Sequence, residues 1–252
     1  MNPHRLFVAV GILLTSCVGG VNLPTTSVPL TPQSKQVAIT PYTRVDDCVT
    51  DPFPSIGSFV GHEGNLIGSG VVIRPNVVLT AGHVIAPHWS ARYFKDSNQV
   101  LHEIKCVELH PLFAPFEKLG KDFILMDIAI VVLETNTDVV PMKLGTDTFL
   151  YRGKPLTTVG FGAGFKRFSN PNTFVYYGRT IEQPNMFSWL SVRWSIWFGD
   201  SGGAVLADDN GELKLVGIII SMGSESGRIV DNHASSIMYF QAWIDTVLRE
   251  LE

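Results

Sequence analysis

Three side chains in this sequence could do chemistry together. Ser201 lies in the string Gly199-Asp200-Ser201-Gly202-Gly203. A serine hydroxyl is a weak nucleophile until a tight turn exposes it and a base takes its proton. Glycines on both sides permit the backbone angles of such a turn and let a substrate backbone come close. Asp-Ser-Gly is also ordinary loop chemistry, but the five-residue string is far more specific. His83 closes Thr80-Ala81-Gly82-His83 after a run of small and apolar residues. A histidine there is either a core residue bonded to backbone or a general base. Asp127 sits inside Phe123-Ile-Leu-Met-Asp-Ile-Ala-Ile-Val-Val-Leu133. A carboxylate in so apolar a run is costly to bury unless it is charge-paired or hydrogen-bonded, and an imidazole N–H would serve. The alternative is a strand-end aspartate facing water. Asp122 is a nearby competitor, but it follows Lys121 outside the apolar run and reads as a turn residue.

The elements that must position these groups read as short strands. Ile56–Val60, Gly68–Ile73, Val77–Thr80, Glu103–Leu109, Ile128–Leu133 and Leu156–Val159 fill the first part. Phe174–Tyr177, Ala204–Leu206 and Leu213–Ile220 follow. Many short strands without intervening helices predict an all-β sandwich or barrel. Only the end differs: Ile237, Phe240, Ile244, Val247, Leu248 and Leu251 recur at helical spacing, which predicts a terminal amphipathic helix over 236–251.

Composition narrows the function classes. Of 252 residues, 45% are hydrophobic and 17% charged, which suits a folded, β-rich chain. The net charge of −4 and the lack of a basic run argue against a nucleic-acid partner. No metal-ligating cluster or phosphate-binding glycine loop is evident in the sequence, so neither metal nor cofactor is expected.

The N-terminus reads as an export signal over residues 1–16. His4-Arg5 precedes the apolar run Leu6–Leu14, which is too short to span a bilayer. Leu14-Thr15-Ser16-Cys17 resembles the lipobox at which bacterial lipoproteins are cut and acylated. That resemblance makes Cys17 a lipid anchor, and several acyl chains would hold the protein stably on a membrane. The alternative is an ordinary secretory signal. Residues 17–44 then form the anchor and an extended Thr/Pro/Ser-rich linker. The expected location is the cell envelope, lipid-anchored on the periplasmic or outer-membrane side, or secretion. Cys48 and Cys106 would meet an oxidising compartment and could pair as a disulfide or remain two separate thiols.

In the order His83, Asp127, Ser201 the three signals resemble the trypsin/chymotrypsin family, as found in bacterial members. Ile67–Ile73 followed by Val77–His83 is similar to the family's first hairpin, and Asp127-Ile-Ala-Ile to its Asp-Ile-Ala-Leu strand. Gly160-Phe161-Gly162 resembles the opening of its second barrel, and Gly217–Gly223 the strand that lines its substrate cleft. Ala242-Trp243-Ile244 matches within its terminal helix. The resemblance covers roughly residues 45–252 and is weakest over 164–194. It implies two six-stranded antiparallel β-barrels, about 54–140 and 150–235, with a C-terminal helix. It also implies a serine endopeptidase acting on protein or peptide substrates, expected as a monomer. Ser201 would be the nucleophile, His83 the base and Asp127 its orienting partner, with Gly199 and Ser201 N–H groups as the oxyanion hole.

The departures are informative. Gly68 and Val84 stand where the family carries a disulfide around its histidine, and no cysteine follows Cys106. Packing must hold the pocket, with Trp197 and Phe198 as candidates. Ser195 falls at the pocket base, with Ser221, Met222 and Gly223 along its wall. An uncharged base does not favour Lys or Arg, so an apolar side chain before the cut bond is expected. In animal relatives, cleavage frees an amine that pairs with the aspartate before the nucleophile, here Asp200. Cleavage after Arg44 would free Val45 for that role and release the domain from its anchor. Otherwise an internal donor holds Asp200. The rival functions are an inactive relative serving as an envelope binding module, an esterase and a structural lipoprotein. The intact triad argues against the first. The esterase reading lacks its Gly-x-Ser-x-Gly context and residue order. The structural reading gives no reason for a buried aspartate.

Overall fold

β-Branched and aromatic residues recur through the short runs of this chain, and they build sheets rather than helices. The computed structural model describes residues 41–86, 90–113, 126–170, 173–179, 184–192, 196–226 and 229–252. Cys17, the export signal, most of the linker, Asp122 and Ser195 lie outside the described residues.

A short strand β1 (Tyr42–Arg44) comes first. Next are β2 (Ile56–Gly61), β3 (Leu66–Arg74), β4 (Val77–Thr80), β5 (Ala91–Lys95), β6 (Leu101–Leu109) and β7 (Ala129–Leu133). These six close into an antiparallel barrel in the order β2-β3-β4-β7-β6-β5, with β5 returning to β2. Register shifts at Phe59/Val60, Val72/Arg74 and Ile104/Cys106 mark bulges. Such bulges bend strands enough to close a small barrel. Phe59 and Phe94, both fully buried, meet in its interior with ring centroids 5.3 Å apart. β7 is buried at every position, so its unbroken Ala-Ile-Val-Val-Leu run needs no polar face.

The second half supplies β8 (Pro155–Gly160), β9 (Arg167–Ser169), β10 (Phe174–Arg179) and β11 (Met186–Val192). It continues with β12 (Ala204–Asp209), β13 (Glu212–Ser226) and β14 (Ile229–Ser236). The order β8-β10-β11-β14-β13-β12, closed by β12 on β8, makes a second six-stranded antiparallel barrel. β9 and β1 extend this sheet outward from β8. Phe174, Phe187 and Trp189 fill the second core. The two-barrel, all-β expectation therefore holds.

A single helical turn α1 (Gly82–Ile85) follows β4, and helix α2 (Ile237–Glu250) ends the domain. Ser236 caps α2 by accepting a hydrogen bond from the Tyr239 N–H. Ile237, Phe240, Ile244, Val247 and Leu248 bury its apolar face, while Leu251, expected on that face, is exposed. Among the described residues no helix is long and apolar enough to cross a membrane.

Of the two readings open for Cys48 and Cys106, the structure has two separate free thiols. Cys48 follows β1, next to Val45, whose N–H bonds the second-half residue Lys166. Cys106 lies in β6, opposite Val132 of the first barrel. The two thiols thus belong to different attachments.

Candidate active site

His83 sits in α1, directly after the buried strand β4. Asp127 immediately precedes the apolar run into β7, which pairs with β4. Strand pairing therefore brings together two residues far apart in sequence. The His83 backbone N–H donates to Asp127 Oδ1 at 2.8 Å, and His83 Nδ1 lies 2.7 Å from Oδ2. Each carboxylate oxygen is thus committed to the same histidine. Asp127 is fully buried, so it is not the water-facing strand-end aspartate, and its hydrogen bonds to His83 satisfy the buried carboxylate. From the second barrel, the Ser235 hydroxyl donates to the Asp127 carbonyl at 2.7 Å.

Burial alone lowers the pKa of His83. The charge of Asp127 and its hydrogen bond together outweigh burial and raise it above the ordinary imidazole value. With Nδ1 donating to Asp127, the neutral ring presents Nε2 as an acceptor. The side chain keeps 24% of its surface exposed, so that nitrogen is reachable.

Ser201 occupies a turn that only its glycines allow. Gly199 has φ +98° and Gly202 φ +81°, both in the left-handed region. A Cβ on Gly202 would collide with the Ser69 carbonyl and the Thr80 hydroxyl. Within the turn, Asp200 N–H donates to Trp197 O, Gly202 N–H to Ile219 O and Gly203 N–H to Asp200 O. Ser69 of β3 braces it from the first barrel: its N–H donates to Ser201 O at 2.8 Å, and its hydroxyl to Gly199 O at 2.6 Å. Among the described residues the N–H groups of Gly199 and Ser201 have no hydrogen-bond partner. Unpaired N–H donors on the turn that carries a serine hydroxyl are the kind of group that receives a developing oxyanion.

Ser201 and His83 line one cleft of about 620 Å³ between the barrels. The described hydrogen bonds include none between them, and such contacts commonly tighten only once substrate binds. Leu66, Ile67 and Val84 form one apolar wall of the cleft. Ile196, Trp197, Phe198 and Ile220 form another, with Ser221 beside them. Trp197 and Phe198 are 58% and 85% exposed and meet edge to face at 6.0 Å. Met222 and Gly223 continue β13, with Met222 opposite Asn232 of β14.

Asp200 is buried and holds three partners. Gly162 N–H donates to Oδ1 at 2.6 Å, while Trp197 N–H (2.8 Å) and Arg167 Nη2 (2.5 Å) donate to Oδ2. In the intact chain, the internal donor is therefore Arg167 of β9, while the Val45 N–H bonds Lys166 O at 3.0 Å. Sequence reasoning missed Arg167, Ser69 and Ser235. Arg167 lies in the stretch where the family resemblance is weakest, Ser69 sits in the Ile67–Ile73 hairpin string that could have flagged it, and Ser235 carries no motif.

A family model described as "Trypsin-like peptidase domain" matches residues 68–218. The peroxisomal leader peptide-processing proteases of Homo sapiens and Mus musculus are each 30% identical, over 161 and 159 residues. Those alignments cover 63% of this chain but only 26% of either relative. Among solved structures, neuropsin, a serine protease expressed in the limbic system of mouse brain, superposes with a TM-score of 0.65. It is 16% identical, and the match covers 80% of this chain and 97% of that one.

Proposed function

The chain belongs to the trypsin-like peptidase family, and we propose on that premise that it is a serine endopeptidase using Ser201, His83 and Asp127. The observation that carries the reading is the double engagement of His83 by the buried Asp127, beside a cleft that Ser201 shares.

In this reading the Ser201 hydroxyl attacks the scissile carbonyl carbon as its proton passes to His83 Nε2. The carbonyl oxygen becomes an oxyanion and accepts from the Gly199 and Ser201 N–H groups. Losing one such donor costs on the order of 3 kcal/mol in the barrier. Collapse breaks the C–N bond, and the departing amine takes the proton from Nε2. Water then attacks the acyl ester, giving its proton to His83, and Ser201 leaves with that proton restored. Asp127 holds the ring in the tautomer that leaves Nε2 able to accept. Every step uses side chains, backbone N–H groups and water.

Ile196, Trp197, Phe198 and Ile220 favour an apolar residue before the cut bond. The Arg167–Asp200 pair favours activity without cleavage after Arg44. Export through residues 1–16 and a lipid anchor at Cys17 complete the proposal.

Labelling the intact protein with a fluorophosphonate probe tests it. Labelling that disappears in Ser201→Ala supports an activated serine. Labelling absent from the intact protein and from material cut near Arg44 sinks the peptidase reading.

A further inference from the structure

β1 is only three residues long, and so short a strand is not stable on its own pairing. It is nevertheless firmly seated. Tyr42, Thr43 and Arg44 pair with Ser169, Phe168 and Arg167 of β9. Asn170 N–H donates to Pro41 O at 2.7 Å, and Val45 N–H to Lys166 O at 3.0 Å. The Tyr42 ring also packs against Phe174, a fully buried member of the second core, at 5.8 Å.

The other use of Tyr42 concerns Arg167. The guanidinium carbon of Arg167 stands 3.9 Å from the centroid of the Tyr42 ring. Gly162 closes in on the same group, since a Cβ there would collide with Arg167 Nη2 and with Asp200 Oδ2. The guanidinium is therefore closely enclosed, with 11% of its side-chain surface exposed, and its Nη2 bonds Asp200. Burial and the nearby Asp200 carboxylate push the Tyr42 phenol well above its usual pKa, as a ring set against that ion pair should be. Asp200 in turn directly precedes Ser201, and its carbonyl accepts the Gly203 N–H that closes the nucleophile turn.

We propose that β1 clamps the active site: Tyr42 is a positioning residue that holds Arg167 against Asp200, so severing the chain after Arg44 switches the enzyme off. The proposal rests on the peptidase reading above. Its sign opposes the activating cleavage that the resemblance suggested. The place a new Val45 amine would take beside Asp200 is filled by a guanidinium, and two cations there repel. A cut would also detach β1 and remove the ring from Arg167.

The test uses the full chain with Tyr42→Ala and Tyr42→Phe, titrated with a fluorophosphonate. Rate constant and final labelled fraction are read separately, beside a thermal melt. Tyr42→Phe keeps the aromatic face and should label within about threefold of the parent. Tyr42→Ala should label about tenfold or more slowly with its final labelled fraction unchanged, the pattern of a misplaced oxyanion donor. Should Tyr42→Ala fail to fold, Tyr42→Leu replaces it with the same expectation. Parental rates in the alanine or leucine variant overturn the clamp. So does a labelled fraction that falls with the melt while the rate per site stays constant. The parent cut after Arg44 by an Arg-specific endopeptidase, with Val45 verified as the new N-terminus, should label more slowly, and faster labelling overturns the sign. Labelling of the cut parent alone overturns the clamp, whereas failure of both the uncut and the cut parent to label would instead count against the peptidase reading.

Discussion

Replacing Arg167 by alanine strands a carboxylate. Asp200 is 2% exposed, and its only charged partner among the described residues is the Arg167 guanidinium at 2.5 Å. Removing one member of a buried ion pair typically costs about 3–5 kcal/mol, because the remaining charge stays buried. The N–H groups of Gly162 and Trp197 still bond the carboxylate and soften the loss. The missing stack on Tyr42 adds about 1 kcal/mol. At about 2–4 °C per kcal/mol for a domain of this size, the melting temperature should fall by about 10 °C. Thermal unfolding of the full chain at neutral pH, followed by circular dichroism, measures it. Adding Asp200→Asn to Arg167→Ala removes the stranded charge and should return at least half of the lost stability. A fall below about 2 °C in the single variant, or no recovery in the double, would refute the argument that this pair is a buried and mutually dependent one.

Four further outcomes are expected. The fluorophosphonate rate should rise with pH as His83 loses its proton, with a midpoint above the ordinary imidazole value of about 6.5, and Asp127→Asn should move that midpoint down. The same raised pKa gives a stability contribution that is complete below the unfolded value and fades as pH climbs through the folded one, so the melting temperature should decline across that window and not in Asp127→Asn. Gly202→Ala places a side chain at φ +81° against Ser69 and Thr80 and should abolish labelling, measured on protein shown by circular dichroism to remain folded. A Cβ built on Gly68 falls 2.8 Å from a Val84 methyl, so the double substitution Gly68→Cys with Val84→Cys should oxidise to a disulfide and raise stability by about 3 kcal/mol, read as a melting difference with and without reductant.

Much of the frame was readable because burial leaves a pattern. β7 announced itself as an apolar run with a misplaced aspartate, and α2 by its 3–4 spacing. β14 left no such trace. Its Asp-Asn-His-Ala-Ser-Ser stretch is polar, yet Asn232, Ser235 and Ser236 are fully buried between two neighbouring strands. Strand pairing satisfies their backbone groups, and that arrangement depends on partners remote in sequence. β1 and β9, at three residues each, are too short to show a period. In the site, the motif residues were legible and their supports were not. Arg167 matters because folding sets it between a ring and a carboxylate, and spacing along the chain does not encode that meeting. The free thiols make the same point: an even pair of cysteines states a possibility, while their attachments decide it.

Ser69 has a consequence for the life of the polypeptide before it is finished. It belongs to the first barrel, yet it secures the carbonyls of Gly199 and Ser201, and its hydroxyl also accepts the Phe161 N–H at 3.0 Å. The machinery is thus split across a seam, with each half lacking what the other holds. A growing chain that has completed only its first barrel carries His83 and Asp127 but no nucleophile. An isolated second barrel carries Ser201 on a turn deprived of its brace. Under the proposed mechanism, hydrolytic power would arise only once both halves have been made and docked, and a half-made chain would have none.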